Sequence, residues 1–313
     1  MDKFDKNIIE ILDKNCKLPL SKISREVRLS KQSISRRIEN LYRAKQLFSY
    51  YLIIDYFKLG LSNVVFFISL HKNNKKLLHH KINEIKKINS VGWIADFFGR
   101  YDLGISIFYH SSYELNQIVN KIQEIFDNNV KETSIISMVE HNIFSFEFDR
   151  KKKINFHISQ NKNQKITITS PLQTKILYEL SKNPRDLSTN IAKKLGTSFT
   201  SIRYNIKQLE KNKIILGYKL IINFSKFGFH WGLIFFSCNY SSELNKLVAK
   251  LKNDNRVIMI SKSVTNDLLV DVIYKEVAEL KEFVEEYKAL FSNIFYSETL
   301  NVICVYKLGS YLD

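Results

Sequence analysis

Residues 49–60 read SYYLIIDYFKLG and residues 217–228 read GYKLIINFSKFG. Extended in both directions without a gap, the pair aligns 23–70 with 191–238 and keeps 15 identities in 48 positions. The offset of 168 residues is far beyond the roughly 20–50 residue period of stacked solenoid repeats. The spacing therefore predicts a tandem duplication of a whole module built of two parts.

Charge divides the chain in the same way. Residues 1–60 carry a net charge of +6, 61–149 carry −1, 150–228 carry +14 and 229–313 carry −2, which sum to the formal +17. A genome-wide lysine bias would not confine itself to alternate quarters, whereas two polyanion-binding modules separated by two neutral ones produce this pattern. Nucleic acid is the partner the distribution points to. With 45% apolar residues in 313 the chain can bury proper cores. Its apolar runs, such as VVFFISL and WGLIFFSC, are far too short to span a bilayer, so the expectation is a cytoplasmic protein with no membrane partner. Cys16, Cys238 and Cys304 have no metal-ligand spacing and read as small core hydrophobes of a reducing compartment.

In the first basic quarter Phe4, Ile8, Ile11 and Leu12 recur at helical spacing, then Leu20, Ile23 and Val27, then Ile34, Ile38 and Leu41. Ser30, in the break RLSKQ, suits the N-cap of the third helix. That is a helix-turn-helix. With Ile34, Ile38 and Leu41 turned inward, Lys31, Gln32, Ser33, Ser35, Arg36 and Arg37 face outward. Arginine can grip guanine or phosphate, and glutamine can pair with adenine, so this set suits the major groove of double-stranded DNA. The third quarter repeats the pattern from Ser170-Pro171 onward, a cap followed by a first-turn proline. Its third helix buries Ile202, Ile206 and Leu209 and leaves Thr200, Ser201, Arg203, Tyr204, Asn205, Lys207 and Gln208 outside. The two outward sets differ, which predicts an imperfect palindrome at best. The phrase that follows each third helix, rich in aromatic and β-branched residues and closed by Gly60 or Gly228, reads either as a β-hairpin wing or as a connecting strand.

The neutral quarters alternate differently. SNVVFFISL, a helix near 75–89, SVGWIADFF, DLGISIFY, a helix near 111–128 and ETSIISMVEHNIFSFEF give β-α-β-β-α-β, the order of a ferredoxin-like split βαβ sandwich. Residues 229–313 repeat it, with helices near 241–254 and 276–292. Both copies carry Glu-Thr before the last strand, as Glu132-Thr133 and Glu298-Thr299. The fold class is thus α+β: two copies of a winged helix-turn-helix (1–60 and 170–228), each followed by a ferredoxin-like βαββαβ domain (61–149 and 229–313). A basic, polar, extended linker at 150–169 joins the copies.

This combination resembles the Lrp/AsnC family, the feast/famine transcription regulators, over nearly the full length and twice over. The residues that carry the resemblance are the helix-turn-helix, the SYYLIIDYFKLG phrase and Gly99-Arg100-Tyr101-Asp102 between the central strands. The resemblance implies a βαββαβ domain that dimerises through its sheet and takes a small, amino-acid-like effector near Gly99, Arg100, Tyr101 and Asp102. The competing reading of that loop is a plain turn at a subunit or repeat interface. The second copy has Val264-Thr265-Asn266-Asp267 in the aligned places, which puts effector binding there in doubt. Duplication implies a pseudo-dimer within one chain. The competing assembly is a homodimer with four binding modules.

Two other function classes compete with a site-specific regulator. One is an architectural, chromatin-like protein that binds DNA through phosphates. The other is an enzyme, since some proteins resembling this family decarboxylate tetrapyrroles of the siroheme type. His71, His79, His80, His110, His141, His157 and His230 form no metal spacing, and there is no P-loop, CxxC or Ser/His/Asp order. The expectation is a non-enzyme without cofactor or metal.

Overall fold

The computed structural model describes residues 1–71, 75–148, 155–161, 166–167 and 169–309. The elements run α1 (Lys3–Lys14), α2 (Leu20–Val27), α3 (Lys31–Arg43), β1 (Leu47–Ile54), β2 (Ser62–Leu70), α4 (Lys75–Lys86), β3 (Val91–Phe98), β4 (Leu103–Tyr109), α5 (Ser112–Phe126), β5 (Val130–Phe144) and β6 (Asn155–Ser159). They continue α6 (Pro171–Lys182), α7 (Ser188–Leu195), α8 (Phe199–Lys211), β7 (Ile215–Ile222), β8 (His230–Cys238), α9 (Ser241–Lys252), β9 (Val257–Ser263), β10 (Asp267–Tyr274), α10 (Val277–Leu290) and β11 (Ile294–Leu308). Two compact units result, each discontinuous in sequence. One comprises Met1–Asp55, Ile143–Phe156 and Ile168–Phe229, and the other Tyr56–Asn142, His157–Thr167 and His230–Asp313.

The first unit holds both helix-turn-helix segments. Most of the apolar stripes read from the sequence form its cores: Ile8, Leu12, Ile23, Val27, Ile34, Ile38 and Leu41 are buried in one, and Ile176, Leu177, Leu180, Ile191, Ile202, Ile206 and Leu209 in the other, whereas Phe4, at the start of its stripe, and Leu187, just before α7, are exposed. Strand β1 does not fold back on itself as a wing. It pairs antiparallel with β7, with Tyr50 opposite Leu220 and Leu52 opposite Tyr218, to make a two-stranded ribbon. Of the two readings of the repeated phrase, the connecting strand is the correct one. The wing fails because each strand finds its hydrogen-bonding partner in the other copy of the phrase rather than in a local turn.

Each helix-turn-helix also packs on the strand that follows the other one. After α1, the Cys16 amide donates to the Tyr218 carbonyl at 2.8 Å, and the Lys17 ammonium donates to the Tyr218 hydroxyl at 3.1 Å. That hydroxyl donates in turn to Glu210 at 2.6 Å. Asp13, fully buried, accepts from the Phe146 amide at 2.6 Å and pairs with Lys219 of β7. Burial raises its pKa above the ordinary carboxylate value, against the pull of Lys219. In the reciprocal contact, the Arg185 guanidinium lies 5.4 Å over the Tyr50 ring of β1.

The second unit is a single sheet in the order β2-β4-β3-β11-β8-β10-β9-β5-β6, and a further β2–β5 pairing closes eight of its strands into a barrel. Closure rests on the two 15-residue strands. β11 pairs along one edge with β8 and along the other with β3, while β5 pairs with β2 and neighbours β9. Alternate residues fill the interior: Val65, Phe67, Ala95, Phe97, Met138, Leu233, Phe235, Leu269 and Leu300 form one cluster with Tyr101. The other face of the first half's strands (Val64, Phe66, Ile68, Ile94, Ile105) packs on Ile82 and Ile85 of α4 and on Ile118 and Ile122 of α5. Strands buried on both faces read as unbroken apolar runs, which is why VVFFISL shows no alternation.

Three sequence expectations need correction or limits here. Cys16 and Cys238 are buried, but Cys304 is exposed, because β11 carries it on a stretch that the second unit leaves open to solvent. The linker contains a short strand, β6, and its Thr167 amide donates to the Lys58 carbonyl at 2.7 Å. Its residues 150–154, 162–165 and 168, with residue 149 before it, lie outside the described residues.

Inside the barrel wall, Asp271 is fully buried, and its Oδ1 accepts from the Trp231 indole at 2.8 Å while Oδ2 has no hydrogen-bond partner among the described residues. Burial pushes its pKa up to about 7 from the usual 3.8. The folded protein therefore holds this proton more tightly than the unfolded chain does. The associated stability is complete below about pH 4 and is lost as pH rises through 7. Both tryptophans, Trp93 and Trp231, belong to this unit, so their fluorescence follows its unfolding. Denaturation monitored in that way should show wild type losing stability between about pH 4 and pH 7, and Asp271→Asn should flatten the profile. An equal loss in the variant would show that another group titrates.

Candidate nucleic-acid interface

The turn that presents α3 is set by backbone chemistry. Arg28 ends α2 in the left-handed region (φ 59), and Ser30 caps α3 by accepting from the Ser33 amide at 3.1 Å. In the second module Gly196 takes the same conformation (φ 61), and Ser198 accepts from the Ser201 amide at 3.1 Å. Glycine adopts that conformation at no steric cost, whereas arginine carries a modest strain there. Lys194 pairs with Glu179 and Asp186, both at 2.9 Å, and so ties α7 to α6 and to the loop after it. Hydrogen bonding to Lys194 holds the Glu179 carboxyl below its usual pKa.

On α3, Lys31, Gln32, Ser33, Ser35 and Arg36 are exposed as expected. Arg37 is a correction. Its guanidinium donates to Asp2 at 2.8 Å and to Asp5 at 2.7 Å, the two carboxylates that form the capping box of α1. It bolts α3 to the start of α1 and is not a free outward cation. The helical geometry accounts for this, since Arg37 lies on the flank beside Ile34 and Ile38 rather than on the outer face. At the aligned place in α8, Asn205 folds back, donating to the Ser201 carbonyl at 2.9 Å. Thr200, Arg203, Tyr204 and Lys207 of α8 are exposed, while Ser201 and Gln208 are half-buried. The outward reading passed over Phe199, which opens α8, is 42% exposed and lies 5.4 Å under the Arg203 guanidinium. Its position directly after the capping serine was the available signal.

The loop expected to take an effector packs against β5 and β11. Gly99 (φ 154) lies so close to β11 that a Cβ there would meet Leu300 Cδ2 at 2.6 Å. Arg100 pairs with Glu132 of β5 and approaches Glu298 of β11 at 3.8 Å, so it engages both Glu-Thr glutamates. Hydrogen bonding to Glu132 raises its already high pKa. Tyr101 is buried against Phe67, their rings 5.2 Å apart. Asp102 accepts from the Leu70 amide at 2.7 Å. The second loop replaces glycine with a side-chain network: Ser263 accepts from the Thr265 and Asp267 amides at 3.1 and 3.0 Å, and Ser237 donates to Asp267 at 2.6 Å. Among the histidines, His141 is buried and engaged on both nitrogens, by Ser261 at 2.8 Å and Tyr56 at 2.7 Å, and burial pushes its pKa down to about 4. Among the described residues no group of three or more His, Cys, Asp or Glu could hold a metal ion. No described helix is long and apolar enough to cross a membrane.

Comparison with known proteins follows the same lines. The description of an AsnC-type helix-turn-helix domain matches residues 1–41. An uncharacterized HTH-type transcriptional regulator of Pyrococcus furiosus is 34% identical over 115 residues, which cover 36% of this chain and 74% of that protein. The HTH-type transcriptional regulator LrpA of Pyrococcus horikoshii is 36% identical over 99 residues, covering 32% of this chain and 70% of that one. Among solved structures, the siroheme decarboxylase NirDL shares the fold over 98% of this chain and 93% of its own, with a TM-score of 0.62 and 15% sequence identity.

Because Gly99 combines a left-handed φ with a missing Cβ contact distance, Gly99→Val should destabilise the second unit by about 1–3 kcal/mol. Tryptophan-monitored urea unfolding measures it. An unchanged midpoint would show that β11 moves aside freely.

Proposed function

Since this chain belongs to the Lrp/AsnC family of helix-turn-helix transcription regulators, we infer that it binds duplex DNA as a site-specific regulator through α3 and α8. The observation that carries this reading is the β1–β7 ribbon, which holds two helix-turn-helix segments in one compact unit. A regulator assembled from two subunits needs two chains to present two recognition helices to successive major-groove faces, roughly 34 Å apart. Here one chain supplies both. The recurrence of the element order α-α-α-β followed by β-α-β-β-α-β supports a tandem duplication. The closed sheet, to which residues 62–144 and 230–308 both contribute, supports an intrachain pseudo-dimer. The division into modules at 1–60, 61–149, 150–169, 170–228 and 229–313 belongs to the same proposal, as does work in the cytoplasm.

Lys31, Gln32, Ser33, Ser35 and Arg36 of α3, and Thr200, Ser201, Arg203, Tyr204 and Lys207 of α8, are the proposed contacts. Arg37 acts by holding α3 to the start of α1, and Asn205 bonds back onto its own helix. An amino-acid-like effector at Gly99–Asp102 rests on the family resemblance alone, because Arg100, Tyr101 and Asp102 already have internal partners. One observation favours a second reading. The full-length likeness to a siroheme decarboxylase is a likeness of fold, and incubation with siroheme followed by mass spectrometry tests it directly. Unchanged siroheme leaves the regulator reading in place.

Selection of bound duplexes from a random pool at near-physiological salt should return a bipartite motif with unlike halves. Loss of all preference, with affinity still collapsing in salt, would instead indicate architectural binding through phosphates. On a selected duplex, Arg36→Ala should weaken binding several-fold and flatten the dependence of log K on log salt by about one unit. Arg37→Ala should leave that slope unchanged and lower the melting temperature. The reverse pattern would return Arg37 to the interface.

A further inference from the structure

Three aligned positions on the two recognition helices change chemical character together. On α3 they hold Lys31, Gln32 and Arg36, all exposed and all long hydrogen-bond formers. On α8 the places 168 residues later hold Phe199, Thr200 and Tyr204. Phe199 and Tyr204 are 42% and 62% exposed, and Thr200 is exposed as well. The exposed face of the α8 tip thus carries an aromatic ring and a methyl-bearing side chain where that of α3 carries amine and amide donors. Phe199 and Thr200 stand in the first turn, directly after the Ser198 cap, and a recognition helix brings its first turn to the base edges.

We propose that the α8 module reads its half-site through the C5-methyl groups of thymine, whereas the α3 module reads purine acceptors. In the major groove the thymine methyl is the apolar feature among the base-edge groups, and phenylalanine and the threonine methyl are side chains that contact it. Lysine and arginine suit guanine O6 and N7, and glutamine suits adenine N6 and N7. Charge complementarity supports duplex DNA as the occupant. Arg203 and Lys207 flank the apolar group, and the one carboxylate of α8, Glu210, accepts a hydrogen bond from Tyr218 at 2.6 Å. The Arg203 guanidinium lies 5.4 Å over the Phe199 ring, so cation and aromatic ring are presented side by side on one face of α8. The proposal rests on the reading that α8 enters a major groove, and adds which chemical group it finds there.

The test changes the DNA before it changes the protein. Replacing thymine by deoxyuridine removes only the methyl and leaves every hydrogen-bonding atom and phosphate of the duplex. With the full chain and a duplex recovered by selection, deoxyuridine in one half should weaken binding by about fourfold per contacted methyl, the factor one buried methyl-sized group supplies. Phe199→Ala or Tyr204→Ala should reduce that sensitivity, and Gln32→Ala should leave it intact. Wild-type affinity unaffected by deoxyuridine in either half would overturn the proposal. So would a sensitivity that survives both aromatic replacements, or recovered half-sites that contain no thymine. In each of those cases wild type still binds DNA, so the regulator reading stands. Failure to bind any duplex at low salt would bring down both together.

Discussion

Unpaired backbone N–H and C=O groups are the constraint on which the first unit depends. A two-stranded ribbon made of residues 47–54 and 215–222 satisfies groups that neither strand could satisfy alone. The pairing partners lie far apart in sequence, and so the ribbon converts two copies of a local phrase into one long-range junction. Everything nearby is built onto it. Asp13 and Lys17, at and just after the end of α1, reach Lys219 and Tyr218, and Arg185 of the second module reaches Tyr50. A fully buried carboxylate costs stability unless it is paired and hydrogen-bonded, and Asp13 has both a cation and a backbone amide. Such a site specifies one arrangement, since slippage of the ribbon would strand the charge.

The second unit solves the same problem by closure. An open sheet leaves edges, and a closed one has none. Here β11 takes up the free edge of β3, and β5 lies between β2 and β9. The two hairpin loops at comparable places use unlike chemistry for comparable ends. The first relies on Gly99, which lets backbone approach Leu300, and on Arg100 between two glutamates. The second relies on hydroxyls and a carboxylate bonded among themselves, with Asn266 at φ 62. The halves differ in side-chain chemistry while keeping the same order of elements.

How much of this was legible in the sequence follows from the range of each interaction. Helical stripes such as Ile34-Ile38-Leu41 are local, and they were read correctly together with their serine caps. The boundaries of β2 coincide with the run SNVVFFISL because residues buried on both faces leave no ambiguity about where the strand stops. Pairing choices are not local, so the sequence left open whether residues 49–60 form a wing. Arg37 misled because helical spacing places it only on a flank, and nothing nearby in sequence shows that Asp2 and Asp5, some thirty residues earlier, come to meet it. Asp271 was invisible for a related reason, since a lone acid within LLVDVIY gives no sign of which face is enclosed. Phe199 was passed over because an exposed phenylalanine breaks the polar-outside expectation from which outward residues were listed.

The crossed pairing of the long strands also bears on how the protein is made. β3 is synthesised early, yet the strand that covers its outer edge emerges roughly 200 residues later. At about 5–20 residues per second on the ribosome, that edge waits roughly 10–40 s. During this interval an apolar strand with a bare row of backbone donors is available to any neighbouring nascent chain. The sheet therefore cannot close before β11 has emerged, and crowded polysomes translating this message have reason to recruit a holding chaperone until it does.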